Sequence, residues 1–89
     1  MITLRFTANL LRHVRTPDSR VEGADVRQVL DSYFAANPQV RGYVLDDQGG
    51  LRAHVLIFVN QEPISDRRGL SDPVRENDDI FVMQALSGG

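Results

Sequence analysis

Eighty-nine residues, 42% of them apolar, suffice for one domain with one small hydrophobic core and leave no room for a deep catalytic cleft. A formal charge of −2 argues against a general nucleic-acid binder, which needs a basic surface to hold phosphates. Without cysteine there is no disulfide, thiolate nucleophile or zinc–thiolate site, and the longest apolar run, Val55-Leu56-Ile57-Phe58-Val59, is far too short to span a bilayer.

Ile2, Leu4 and Phe6 alternate with Thr3, Arg5 and Thr7, the period-two pattern of a half-buried strand. That alternation outweighs a transit-peptide reading of the arginines at 5, 12 and 15, and the chain is expected to be soluble and cytoplasmic. Thr16-Pro17-Asp18-Ser19 is a turn signal, so the stretch 12–22 is expected to hold a second strand that pairs back on the first. Asp25 with Gln28 three residues later has the form of a capping box. Val26, Val29, Leu30, Tyr33 and Phe34 then recur at helical spacing and give one apolar face. Asn37-Pro38 ends that helix, because proline forces the residue before it out of the helical region.

Residues 39–45 read as a short turn of helix running into extended chain, and Asp46-Asp47-Gln48-Gly49-Gly50 as a polar loop. The stretch 51–60 carries the strongest strand pattern. Asn60-Gln61-Glu62-Pro63 turns the chain, and Ile64 can begin a short return strand. Residues 65–73 read as a loop with one turn of 3₁₀ helix, anchored by Leu70 and Val74. Glu76-Asn77-Asp78-Asp79 then turns into a last strand over 80–85.

This order implies an α+β fold, a mixed sheet of four to five strands with one main helix packed across it and the first and last strands adjacent in the centre. That is the β-grasp, or ubiquitin-like, architecture. Residues 1–85 form the domain, and 86–89 are expected to be a flexible tail ending in Gly88-Gly89. Two successive glycines make a thread thin enough to enter a narrow active site where a side chain would clash.

Alternation also sorts the late strands. Val55, Ile57 and Val59, with Ile80 and Val82, should meet the helix, leaving Leu56, Phe58, Phe81 and Met83 on a face that one helix cannot cover. That apolar patch, flanked by Arg5 and leading to Leu86, is expected to dock a partner, the alternative being that the loop 65–73 folds over part of it. Other chemistry is poorly supported. His13 and His54 stand far apart, with no acidic cluster at ligand spacing, so no metal site is expected. Asp46-Asp47 and Asp78-Asp79 sit in turns, where aspartate serves backbone hydrogen bonding. Ser65 and Ser87 lack an evident base, and Gly49-Gly50 precedes a strand, not the helix of a phosphate loop. All ten basic residues are arginine, so no lysine amine is present to attack an activated acyl group.

Four segments together carry a family likeness: Val55 through Ile64, Leu70-Ser71-Asp72-Pro73-Val74, Glu76-Asn77-Asp78-Asp79-Ile80, and Ala85-Leu86-Ser87-Gly88-Gly89. In order and spacing they resemble the ubiquitin-like sulfur carriers of the MoaD/ThiS type. The resemblance implies a protein cosubstrate with no catalytic side chain and no bound cofactor. A ubiquitin-activating-type enzyme, using ATP and magnesium, would adenylate the carboxylate of Gly89. A sulfurtransferase would then supply the sulfur of a thiocarboxylate, and an acceptor synthase would take it. Gly88, Ser87 and Leu86 would thread into the partner while Leu56, Phe58, Phe81, Met83 and Arg5 dock it. Members of this family often carry proline just before the tail, where this chain has Gln84-Ala85. The resemblance leaves the sulfur acceptor open among cysteine, molybdopterin, thiamine, tRNA and secondary-metabolite pathways. It also leaves open the small subunit of a molybdopterin synthase, a ubiquitin-like protein modifier, and a plain β-grasp interaction module.

Overall fold

The first and last strands of the chain lie side by side in the middle of one sheet. The structure, a computed structural model, describes residues 1–6 and 19–84. Its elements in chain order are β1 (Ile2–Phe6), β2 (Ser19–Val21), α1 (Val26–Ala36), α2 (Pro38–Val44), β3 (Val55–Val59), β4 (Glu62–Pro63) and β5 (Asp79–Gln84). The sheet order is β2-β1-β5-β3-β4. β1 is parallel to β5 and antiparallel to β2, and β3 is antiparallel to both β5 and β4. This is the mixed β-grasp sheet expected from the sequence. Thr16, Pro17 and Asp18 of the expected turn and most of the stretch 12–22 lie outside the described residues; the portion within them holds β2, opened by Ser19, which pairs with β1 as expected.

Burial follows the alternation. Ile2, Leu4 and Phe6 are buried while Arg5 is exposed. On β5, Ile80 and Val82 are buried and Phe81 is not. The apolar face of α1 covers this side of the sheet, with Val26, Val29, Leu30, Tyr33 and Phe34 all buried. Phe6 and Tyr33 pack ring against ring at a 5.0 Å centroid distance. Asp25 caps α1 by accepting from the Gln28 amide at 2.8 Å. The reciprocal bond is displaced by one residue from the usual capping box, since Gln28 Oε1 accepts from the Ala24 amide at 2.9 Å.

Three local expectations are corrected. The chain after Asn37 forms a complete second helix, α2, anchored by Val40 and Val44. Pro38 both excludes Asn37 from α1 and starts α2, because a first helical residue needs no backbone N–H. The strand placed at 51–60 shortens to β3. Leu51 makes one isolated bridge to Leu45, and the Val55 amide donates to Arg52 O at 3.0 Å, closing a turn before the strand. Leu51 is buried all the same, so its apolarity reports core rather than strand. The return strand is Glu62–Pro63 rather than one begun at Ile64, and it follows a tight connection in which Asn60 and Gln61 take φ of 50° and 75°.

The loop 65–73 is anchored by Leu70 and Val74 as expected. In place of a 3₁₀ turn, it is organised by two carboxylates. Asp72 accepts from the amides of Ser65 and Asp66 at 2.9 and 2.8 Å. Asp66 Oδ1 accepts from the Gly69 amide at 2.8 Å and Oδ2 from Ser71 Oγ at 2.6 Å. These bonds hold the Asp66 carboxyl at a pKa of about 2, Ser71 being the largest cause.

Candidate functional site

Strand register brings the sequence-predicted docking residues onto one face. Phe58 stands opposite Phe81 and Leu56 opposite Met83 across β3 and β5, while Arg5 on β1 is the register partner of Phe81. Both helices pack on the other side, against the buried residues of the same strands. Phe81 is therefore exposed, and Phe58, Leu56 and Met83 are half-buried. The loop 65–73 does not cover them. Its backbone bonds run instead to α1 and the chain before β3, from Arg27 N to Leu70 O at 2.9 Å and from Leu51 N to Arg67 O at 2.8 Å.

The result is a shallow groove of about 550 Å³. Phe6, Phe58, Phe81 and Met83 supply its apolar surface, and Arg5, Asn60, Gln61 and Asp79 its polar end. Leu56 shares the face but does not line the groove. Arg5 Nη2 and Asp79 Oδ2 are 3.7 Å apart with both side chains about half exposed, so this pair orients the rim more than it stabilises the fold.

Asn60, Gln61 and Asp79 are absent from the sequence-predicted site. Asp79 was within reach of the strand pattern, since it lies two residues before Phe81 on the same face. Nothing local places Asn60 there. Its position follows from Asn60 Nδ2 donating to Asp78 Oδ1 at 2.8 Å, while the Asp79 amide donates to Asn60 Oδ1 at 2.9 Å. These bonds tie the β3–β4 turn to the start of β5. Asp78 also accepts from the Arg75 amide at 2.7 Å, and that bond, ahead of the one from Asn60, pulls its pKa below the usual carboxylate value. Asp46 is lowered in the same way by the amides of Gln48 and Gly50. Both carboxylates are thus committed to turn geometry.

Gly89, Gly88, Ser87 and Leu86 lie outside the described residues, as does His13. The last described residue is Gln84, opposite Val55 at the end of β5. Among the described residues no group of three or more His, Cys, Asp or Glu side chains could hold a metal ion, and no helix is long and apolar enough to cross a membrane.

Three comparisons place this geometry. No curated protein matches the chain. Among solved structures, a chain of the Amycolatopsis orientalis BexX/CysO complex superposes with a TM-score of 0.83 at 18% identity, covering 100% of both chains. CysO of Mycobacterium tuberculosis does so with a TM-score of 0.80 at 20% identity, over 97% of this chain and 100% of that one. SAMP1 of Haloferax volcanii gives 0.77 at 26% identity, over 99% of this chain and 98% of that one. The two likenesses below 25% identity speak for the fold. The ThiS family model matches residues 8–89, and the β-grasp sheet has the architecture expected of that family. The chain therefore belongs to the ThiS family of ubiquitin-like proteins.

Proposed function

We propose that this protein is a sulfur carrier that works in the cytoplasm through its last residue and supplies no catalytic side chain of its own. A carboxylate oxygen of Gly89 attacks the α-phosphorus of ATP, held with magnesium by a ubiquitin-activating-type enzyme, and pyrophosphate leaves. A hydrosulfide-level sulfur, delivered by a sulfurtransferase, then attacks the acyl carbon and expels AMP. The product is a thiocarboxylate whose sulfur an acceptor synthase consumes. Adenylation is needed because a free carboxylate is a poor electrophile. Residues 86–89 act as the tail that enters the partner, and the groove of Phe58, Phe81, Met83 and Arg5, with Leu56 beside it, docks the domain.

The observation that carries this reading is the family match, which runs through the Gly88-Gly89 end of the sequence. The open apolar face on the strand leading to that end supports it. Incubation with a ThiS-type adenylating enzyme, ATP, magnesium and sulfide should give the mass gain of one oxygen replaced by sulfur at Gly89. Deleting Gly88 and Gly89 should abolish it. No adenylate and no thiocarboxylate, with a known carrier reacting under the same enzyme, would overturn the proposal. The 26% identity to SAMP1 supports a second reading, since a structure of that name is described as a small archaeal modifier protein. Covalent adducts to lysines of other proteins, dependent on Gly89, would identify it.

A further inference from the structure

Away from the groove, five of the ten arginines collect in one place. Arg27 on α1, Arg41 on α2, Arg52 before β3, and Arg67 and Arg68 in the following loop surround the chain at 46–52. Arg27 Nη1 and Arg41 Nη2 lie 3.5 and 4.0 Å from the point a Cβ would occupy on Gly49. Arg27 Nη2 donates to Gly49 O at 2.7 Å and to Arg68 O at 3.1 Å. Arg52 Nε donates to Gly42 O at 2.7 Å, and Arg67 Nη2 to Arg52 O at 2.9 Å.

These bonds spend the guanidiniums on neutral carbonyls, and Asp46, whose pKa is lowered by the Gln48 and Gly50 amides with help from the charges of Arg52 and Arg68, offsets only part of the cluster's charge. The ion pairs among the described residues are Met1 with Glu76 and Arg5 with Asp79, and neither involves this cluster. Arg41 and Arg68 make no side-chain hydrogen bond or ion pair among the described residues. Gathering five cations around one loop is unfavourable without anions to face them. Two of the five, Arg67 and Arg68, line a pocket of about 480 Å³ together with Asp46, Gln48, Gly50, Leu51 and Ala53. Asp46 already accepts from the amides of Gln48 and Gly50 and stays ionised, so a small anion inside the pocket would meet a like charge. Carboxylates spread along an extended segment avoid Asp46 and reach the guanidiniums at the rim.

We propose that this arginine cluster docks an acidic, Asp/Glu-rich segment of the protein that engages the tail. The placement supports one partner for both: Arg52 lies three residues before Val55, the register partner of Gln84 at the end of β5. The identity of that partner as a tail-engaging protein rests on the sulfur-carrier reading, whereas the acidic ligand chemistry does not.

An oligoglutamate peptide titrated into the ¹⁵N-labelled full chain at low salt is the probe. The amides of Gly49, Gly50, Arg52 and Arg68 should shift together and saturate. Arg41→Glu/Arg68→Glu should bind about tenfold more weakly, and Arg41→Lys/Arg68→Lys should retain most of the affinity. Because neither side chain makes an internal bond among the described residues, both variants should fold, which their unperturbed remaining spectrum checks. A chain lacking Gly88 and Gly89 should bind the peptide as the full chain does, so loss of thiocarboxylate chemistry and loss of acidic-segment binding are separate results. No shift at these amides, equal binding by the charge-reversed variant, or inorganic phosphate saturating the same amides at lower concentration than the peptide would each overturn the proposal.

Discussion

Phe81 and Tyr43 provide a matched test of where the protein docks its partner. They are exposed to nearly the same degree, 37% and 40%, but Phe81 lies in the groove and Tyr43 on α2. A phenylalanine presents about 200 Å², so Phe81 leaves about 75 Å² open to be covered on docking. At ~25 cal/mol per Å² that surface contributes about 1.9 kcal/mol, or roughly 20-fold in affinity. Phe81→Ala should therefore raise the KM for the carrier in pyrophosphate release by a ThiS-type adenylating enzyme about 20-fold. The kcat should change little, because the reacting carboxylate is untouched. Tyr43→Ala removes a similar area from the other side and should leave KM unchanged. Neither side chain belongs to the buried core, so both variants should stay folded. Equal effects at the two positions, or an unchanged KM for Phe81→Ala, would refute the assignment of the groove as the docking surface.

Two further outcomes concern the scaffold. Leu4→Ala truncates a fully buried side chain whose register partner across the central strand pair is the equally buried Ile80. Urea denaturation should show a loss of about 2–5 kcal/mol, the range for leucine truncation in a close-packed core, and a loss under 1 kcal/mol would contradict the placement of β1 beside β5. Asp66 links stability to pH. Its carboxyl is lowered from 3.8 to about 2, chiefly by Ser71 and then by the Gly69 amide, so the native state binds that proton less well than the unfolded chain. The contribution is complete above about pH 4 and is lost as the pH falls toward 2. Asp66→Asn should lower the melting temperature at pH 7 and flatten its decline between pH 4 and 2, and an unchanged acid profile would exclude this carboxylate as a contributor.

The sequence by itself determined the core and the two faces of the sheet. Side-chain direction repeats every two residues in a strand and about every 3.6 in a helix. Ile2, Leu4 and Phe6, the stripe from Val26 to Phe34, and the opposition of Ile80 and Val82 to Phe81 and Met83 are therefore local facts. Each agrees with the burial found. Family resemblance was legible too, because it rests on segments whose order and spacing survive without knowledge of their contacts.

Tertiary structure decided what depends on residues far apart in the chain. Leu51 has the apolarity of a strand residue but lies outside β3, since its neighbours Arg52 and Val44 bond across the loop. Asn60 reaches the groove through Asp78 and Asp79, nearly twenty residues later, a pairing no local period encodes. The arginines at 27, 41, 52, 67 and 68 read as scattered charges along the sequence and become one surface only where α1, α2 and two loops meet. Periodicity says which way a side chain points, and only the folded chain says what stands opposite it.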